Sequence, residues 1–155
     1  MPTEIRLDDL SSWVGHTFGP TAPLIVTQAM IDRFAELTVD RQWVHVDVER
    51  AGREMGGTIA HGYLILSLVP QFTAQLLVIT GVGHGLNYGL NRVRFTSAVP
   101  AAAEIVATQT ITKVENKSGG ILFTSEVAIA VVGGERPACV AETLVLVYPG
   151  EGRLE

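Results

Sequence analysis

A long apolar segment that begins at His61 constrains the fold more than any other stretch of the chain. Its large apolar residues recur every three or four positions, at Leu64, Ile65, Leu68, Phe72, Leu76 and Ile79. This spacing predicts a helix from residue 61 to about residue 80. Apolar residues also occupy much of the opposite face, so we expect a central helix that is largely surrounded by protein. Pro70 lies within the pattern and should bend the helix or cost it one hydrogen bond.

Segments typical of β-strands fill the chain after this helix. The glycine-rich stretch from Gly81 to Gly85 should end the helix. Four segments rich in β-branched residues follow, at 86–95, 104–114, 121–132 and 138–148, and glycine or proline separates them. One long helix beside an antiparallel sheet of about five strands is an α+β plan, in which the sheet would wrap the helix.

The first 60 residues contain shorter and less regular signals. Residues 4–19 read as a short amphipathic lead-in on helical turns, and Leu24 to Val26 as a strand. Thr27 is suited to cap a helix that runs to about Leu37. Residues 40–58 show no clear period, apart from one helical turn expected at 49–51. An irregular connection of this length is more often functional than idle.

Composition excludes several classes of protein. The 155 residues fit one domain, 1–155, and 47% of them are apolar. The 11 basic residues are scattered and the net charge is −5, which argues against nucleic-acid binding. A single cysteine excludes an internal disulfide, and Cys139 is expected to pack within a strand. The sequence shows neither a secretory signal nor a membrane span, so we expect a cytoplasmic protein.

Asp40 and His45 are the first candidates for chemistry. An aspartate and a histidine can share a substrate water and exchange acid and base roles near neutral pH. Their five-residue spacing alone is weak evidence, because a turn-capping aspartate and a surface histidine are the more common explanation. Asp47 could orient an imidazole, but capping the turn at residue 49 is the favoured interpretation.

The Ala60-His61-Gly62 segment stands where the long helix begins. The Gly62 N–H would lie at the positive end of the helix, where it could stabilise an enolate or thioester oxygen. Equally, Gly57 and Gly62 could only relieve crowding at a tight junction. His45 and His61 lack the spacing of a helical zinc pair, so no metal site is expected. His16 and His84 flank turns and should be exposed.

Two stretches carry a resemblance to a known family. FAELTVDRQWVHVDVERA at 34–51 and GGTIAHGYLILSL at 56–68 resemble the hydratase signature of MaoC-like dehydratases, the (R)-specific enoyl-CoA hydratase group. That signature is a helix ending in Thr-Gly-Asp, then Asn-Pro before the histidine, and later Ala-His-Gly. Here Gln42-Trp43 replaces Asn-Pro, and with residues 87–95 this resembles the branch named for nodulation protein N. Val39 replaces the glycine, and Pro70 stands where some relatives have a serine.

The resemblance implies a hot-dog fold, usually a homodimer with its sites at the dimer interface. It implies reversible addition of water to a trans-2-enoyl-CoA, giving an (R)-3-hydroxyacyl-CoA, with no metal or redox cofactor because CoA is part of the substrate. Asp40 and His45 would be the acid/base dyad and Gly62 the oxyanion donor. Substrate contacts are expected at Gln42, Gly57, His61 and Tyr63. The alternatives are an acyl-CoA thioesterase on the same fold and a non-catalytic acyl-binding or interaction module.

Overall fold

The computed structural model describes residues 1–154, which form one seven-stranded sheet and five α-helices. The strands are β1 (Thr3–Arg6), β2 (Thr17–Phe18), β3 (Leu24–Ile25), β4 (Leu77–Phe95), β5 (Glu104–Lys117), β6 (Gly120–Val131) and β7 (Cys139–Leu154). The helices are α1 (Gln28–Thr38), α2 (Trp43–Val46), α3 (Val48–Met55), α4 (Gly62–Ser67) and α5 (Val69–Leu76). A 3₁₀ helix, Leu7–Trp13, follows β1.

The sheet has the strand order β1-β4-β7-β6-β5-β2, with β3 paired to β5 beside β2. Every pair is antiparallel except β1 with β4. Strand β3 lies where the sequence predicts a strand, at Leu24–Ile25. Seven strands are present instead of about five because β1 and β2 were missed, both lying in the stretch assigned to helical turns. The four long strands lie where the sequence places them, although β4 begins nine residues before 86 and β7 runs on to Leu154.

The central helix begins where predicted but is shorter and broken. It comprises α4 and α5, which meet at Leu68, and Pro70 lies in the first turn of α5, where a missing N–H costs no intrahelical bond. Residues 77–80, predicted as helix, are instead the start of β4 and pair in parallel with β1. The glycine-rich stretch from Gly81 to Gly85 continues β4 rather than ending a helix, with register shifts near Val82.

The N-terminal lead-in was also predicted with the wrong backbone. Residues 3–6 form a strand and the following turns are 3₁₀ rather than α. Of the five residues predicted to share one face, Ile5, Leu7 and Leu10 are buried and Trp13 is half-buried, but Val14 is exposed. Hydrophobic spacing therefore identified the buried face, while the pairing with β4 decided the backbone conformation.

The core lies between the α4–α5 pair and the sheet. Ile65, Leu68 and Phe72 of the helices pack in one cluster with Ile105 and Val127 of the strands. Phe72 is completely buried, as expected for a helix surrounded by protein. The predicted α+β plan, a sheet wrapped around a central helix, is confirmed. None of the helices within residues 1–154 is long and apolar enough to cross a membrane.

Candidate active site

Asp40 is positioned by the end of α1. Thr27 caps this helix as predicted, its hydroxyl accepting from the Met30 N–H at 3.2 Å. The helix ends at Val39, which takes the left-handed conformation with φ 62° and ψ 14°. This single residue turns the chain sharply, and Asp40 follows it as a half-buried side chain.

Residues 40–58, predicted to be irregular, contain two short helices. Helix α2 has only four residues, too few to produce a recognisable period. Helix α3 extends well beyond the single turn expected, and two ion pairs at i,i+4 spacing support it, Arg53 with Glu49 and Arg50 with Glu54. Asp47 accepts from the Arg50 N–H at 2.9 Å, so the interpretation of Asp47 as a helix cap is confirmed.

His45 lies on α2 with its side chain buried. Its Nδ1 is 2.7 Å from the carbonyl oxygen of Ile59. A carbonyl can only accept, so Nδ1 carries a hydrogen, and Nε2 is the ring nitrogen left to exchange a proton. The Gln28 amide of α1 donates to the His45 carbonyl at 2.8 Å and accepts from the Thr58 hydroxyl. Main chain and ring of His45 are thus both held.

His61 is almost completely buried and links the two candidate residues. Its Nε2 donates to the main-chain carbonyl of Asp40 at 2.9 Å, and its ring stacks on that of His45 with centroids 3.8 Å apart and planes 25° apart. Its Nδ1 has no hydrogen-bond partner within residues 1–154. The His61 ring also packs against Phe34, with centroids 5.0 Å apart. Contact of His61 with the substrate stays a prediction.

The three residues form one group of ionisable side chains. One ligand-type atom from each of Asp40, His45 and His61 lies within 4.8 Å of the other two. Sequence spacing gave no reason to expect two histidines together. Imidazole lone pairs lie in the ring planes, so two stacked rings do not converge on one ion in the way that a tetrahedral metal site requires. The geometry suits proton transfer better than metal binding, and the absence of a metal requirement stays a prediction.

Gly62 is the first residue of α4, so its N–H lies outside the hydrogen-bond ladder of the helix. A Cβ at this position would be 2.9 Å from Cδ2 of Phe95, on β4. Gly57 has φ 147°, and a Cβ there would meet no atom of residues 1–154 within 4 Å. A glycine is therefore favoured at this position by the backbone conformation and not by a lack of space. Relief of crowding therefore applies to Gly62 but not to Gly57.

The remaining predicted residues are more peripheral. Gln42 is exposed just before α2, and Tyr63 is exposed with its ring edge against Phe95. His16 and His84 are exposed, as predicted. Sequence reasoning missed Gln28 and Phe95 as parts of the site. Gln28 could have been noticed as an amide directly after the helix cap; no local signal singles out Phe95.

A cavity of about 530 Å³ lies between the α4–α5 pair and the sheet. Residues of both helices and of all four long strands line it, among them Leu66, Pro70, Thr73, Leu90, Gln109 and Thr143. Asp40 and His45 are not part of its lining. The first residue of its lining, Leu66, lies on α4, the helix that begins at Gly62.

The family model described as "MaoC like domain" matches residues 9–132. The chain belongs to the MaoC-like dehydratase family. It is 40% identical to 3-hydroxyacyl-thioester dehydratase Z of Mycobacterium tuberculosis, over 94% of this chain and 97% of that protein. It is 36% identical to nodulation protein N of Rhizobium leguminosarum bv. viciae, over 93% of this chain and 92% of that protein.

The solved structure of the MaoC-like dehydratase from Rhodospirillum rubrum superposes with a TM-score of 0.73 at 21% identity, covering 94% of this chain and 98% of that one. This likeness confirms the predicted hot-dog fold. Membership of the MaoC-like family supports an enzyme of the lyase type that adds or removes water. The resemblance of the sequence to the MaoC-like dehydratases, and to the branch named for nodulation protein N, is likewise confirmed.

Proposed function

We propose that this MaoC-like protein is an (R)-specific enoyl-CoA hydratase, which adds water reversibly to trans-2-enoyl-CoA to give (R)-3-hydroxyacyl-CoA. The observation that carries the proposal is the close approach of Asp40 and His45, with Nε2 of His45 as the ring nitrogen that can exchange a proton. The name of the mycobacterial relative describes the reverse reaction on a 3-hydroxyacyl thioester. CoA as the carrier is part of the proposal.

In the proposed mechanism a water molecule is held between Asp40 and His45. The water attacks C3 of the enoyl group and gives a proton to one member of the pair. The other member, which carries a proton at the start, protonates C2, so the pair as a whole neither gains nor loses a proton. His45 takes part through Nε2, because Nδ1 is engaged with the Ile59 carbonyl. Two coupled groups titrate as a pair, so the proposal assigns acid and base to the dyad as a unit.

The thioester carbonyl would accept a hydrogen bond from the Gly62 N–H. This donor stands at the start of α4, where the helix dipole favours negative charge. A hydrogen bond there polarises the C2=C3 double bond and stabilises the enolate that forms as water adds. Only a glycine fits here, because the Phe95 ring occupies the space that a side chain would need.

The proposed assembly is a homodimer formed along β4. Strand β1 covers only residues 77–80 of β4, and within residues 1–154 the rest of that edge has no pairing strand. Leu86, Tyr88 and Leu90 of this stretch are exposed. A long, exposed, apolar strand edge readily pairs with a second strand, and an antiparallel copy of β4 would satisfy its main-chain groups.

The test follows the loss of enoyl absorbance with crotonyl-CoA and longer enoyl-CoAs. Asp40→Asn and His45→Gln should each lower kcat/KM by roughly 10²- to 10⁴-fold, the usual contribution of acid/base catalysis. Matched controls are Asp47→Asn, which affects only the cap of α3, and His84→Gln on the exposed part of β4. Full activity in either dyad variant would contradict the assignment.

The same assays separate the alternatives. Release of free thiol from saturated acyl-CoA, with no hydration of enoyl-CoA, would identify a thioesterase. Tight binding of acyl-CoA with no turnover of any kind would identify a non-catalytic module. We expect hydration without thiol release, because both members of the dyad are present, the His45 ring is held by the Ile59 carbonyl and the main chain of Asp40 by His61.

A further inference from the structure

We propose that the cavity beside α4 and α5 selects an acyl group that carries a hydroxyl, which hydrogen-bonds to the side-chain amide of Gln109. This inference rests on the proposed function, since it places the acyl chain of the thioester in the cavity. It goes beyond that function by naming a class of substrate. The residues that carry it lie on β5, β6 and β7, away from the dyad.

Gln109 lies on the inward face of β5, where the neighbouring residues are apolar. Its neighbours on the same face, Ile105, Ala107 and Ile111, are at most 1% exposed, and Gln109 itself is 4% exposed. The amide Nε2 donates to the Ser125 hydroxyl at 3.1 Å. Its Oε1 has no hydrogen-bond partner in the described part of the chain.

A buried polar atom without a partner destabilises the folded state, a cost that an apolar side chain would avoid. Nearly all buried polar atoms in folded proteins have a partner, and the exceptions point to a missing water or ligand. Exchanging the amide oxygen and nitrogen would let the oxygen accept from Ser125 and would leave the nitrogen unpartnered instead. One end of the Gln109 amide therefore lacks a partner in either orientation.

Gln109 lines the cavity, and the hydroxyl groups of the other lining residues already donate hydrogen bonds to main-chain carbonyls. Ser67 donates to the Tyr63 carbonyl, Thr73 to the Pro70 carbonyl, and Thr143 to the Ser125 carbonyl. Apolar side chains, such as those of Leu66, Val69, Leu77 and Ile79, form much of the remaining lining. The enclosed amide is thus a polar point in a lining suited to a hydrocarbon chain.

A ligand hydroxyl matches this point best. It donates to a carbonyl-type oxygen and accepts from an N–H, so it pairs with the amide in either orientation. It is also small enough to sit on a chain inside a cavity of about 530 Å³. Because C2 and C3 of the acyl group react at the dyad, the recognised hydroxyl stands further along the chain than C3.

The experiment compares pairs of trans-2-enoyl-CoAs of six, eight and ten carbons, with and without a hydroxyl on the terminal or penultimate carbon. We expect the protein to prefer the hydroxylated member of at least one pair in kcat/KM. Gln109→Met should lower that preference by roughly 10-fold, the effect of one buried hydrogen bond. Gln71→Met, the same change at an exposed position of α5 outside the cavity lining, should leave the preference unchanged.

A second measurement separates this inference from the proposed function. Calorimetry measures the binding of the corresponding saturated acyl-CoA pairs to the wild-type protein. The result depends neither on turnover nor on whether a variant folds. Hydration of plain chains with no preference for any hydroxylated chain, in kinetics and in binding, would overturn the role of Gln109 and leave the hydratase proposal standing. A binding preference in a protein that hydrates none of the thioesters would overturn the hydratase proposal and support the role of Gln109.

Discussion

At the scale of single residues, Val39 is the position where sequence and backbone geometry disagree. The left-handed conformation disfavours L-amino acids by about 1–2 kcal/mol, and a β-branched side chain is especially unsuited to it. The related family pattern has a glycine here, which adopts the conformation freely. Val39 keeps the turn into Asp40 but carries backbone strain beside the proposed dyad.

Replacing Val39 with glycine should therefore stabilise the protein. The relief of strain is partly offset by the greater freedom of glycine in the unfolded chain, which leaves a gain of about 0.5–1 kcal/mol in the free energy of unfolding. Urea denaturation should show a higher midpoint with an unchanged slope. As a control, Val48→Gly, at an exposed position in the first turn of α3, should give no gain. A lower stability of Val39→Gly would contradict the claim that the backbone is strained at Val39.

The candidate site was only partly predictable from single residues. Residue types and the helix start near residue 61 made Asp40, His45 and Gly62 candidates, but only the resemblance to the MaoC-like signature implied their roles. The stacking of His61 on His45 was not predictable, because it depends on how α2 and α4 pack, and no local pattern encodes that contact. The position of Gln28 directly after the helix cap was a signal, but its hydrogen bonds to His45 and Thr58 join separate elements and could not be predicted from it.

At the scale of elements, the start of β4 shows how a distant pairing partner can override the local hydrophobic spacing. Its first residues have a helical hydrophobic period but form a strand, because Val78, Ile79 and Thr80 are β-branched and find β1 as a parallel partner. That partner lies at the other end of the sequence, so local spacing could not reveal it. The long strands were predictable because alternation and turn residues are local signals.

Charging the open edge of β4 should prevent assembly. We expect the protein to behave as a dimer in light scattering coupled to size-exclusion chromatography, and Tyr88→Lys/Leu90→Lys to behave as a monomer, because lysines on an exposed edge oppose strand pairing. Ile25→Lys, at an equally exposed position on β3, should remain dimeric. A dimeric double-lysine variant would exclude β4 as the interface.

At the scale of the whole molecule, Cys139 reports on the integrity of the core. It is completely buried at the start of β7, as the sequence predicted, and burial raises its pKa from 9.0 to about 11. The thiolate is the reactive form, so both enclosure and the raised pKa suppress reaction with thiol reagents. Reaction in the folded protein requires the core to open.

We expect no reaction of the folded protein with Ellman's reagent at pH 8 on the time scale of minutes, and prompt reaction of the single thiol in denaturant. The unfolded thiol ionises first as pH rises, so this group stabilises the fold below about pH 9, and that stabilisation is lost as pH rises toward 11. Prompt labelling of the folded protein at pH 8 would show that β7 is not closed over the core.

The face-to-face packing of His45 and His61 has a consequence for magnetic resonance. Each imidazole lies over the other at 3.8 Å, so the ring current of one shields the protons of its neighbour. The two sets of ring signals should then be displaced together from those of the exposed His16 and His84. A ligand that moved either ring would change both displacements at once, which makes this pair an intrinsic spectroscopic marker of events beside Asp40.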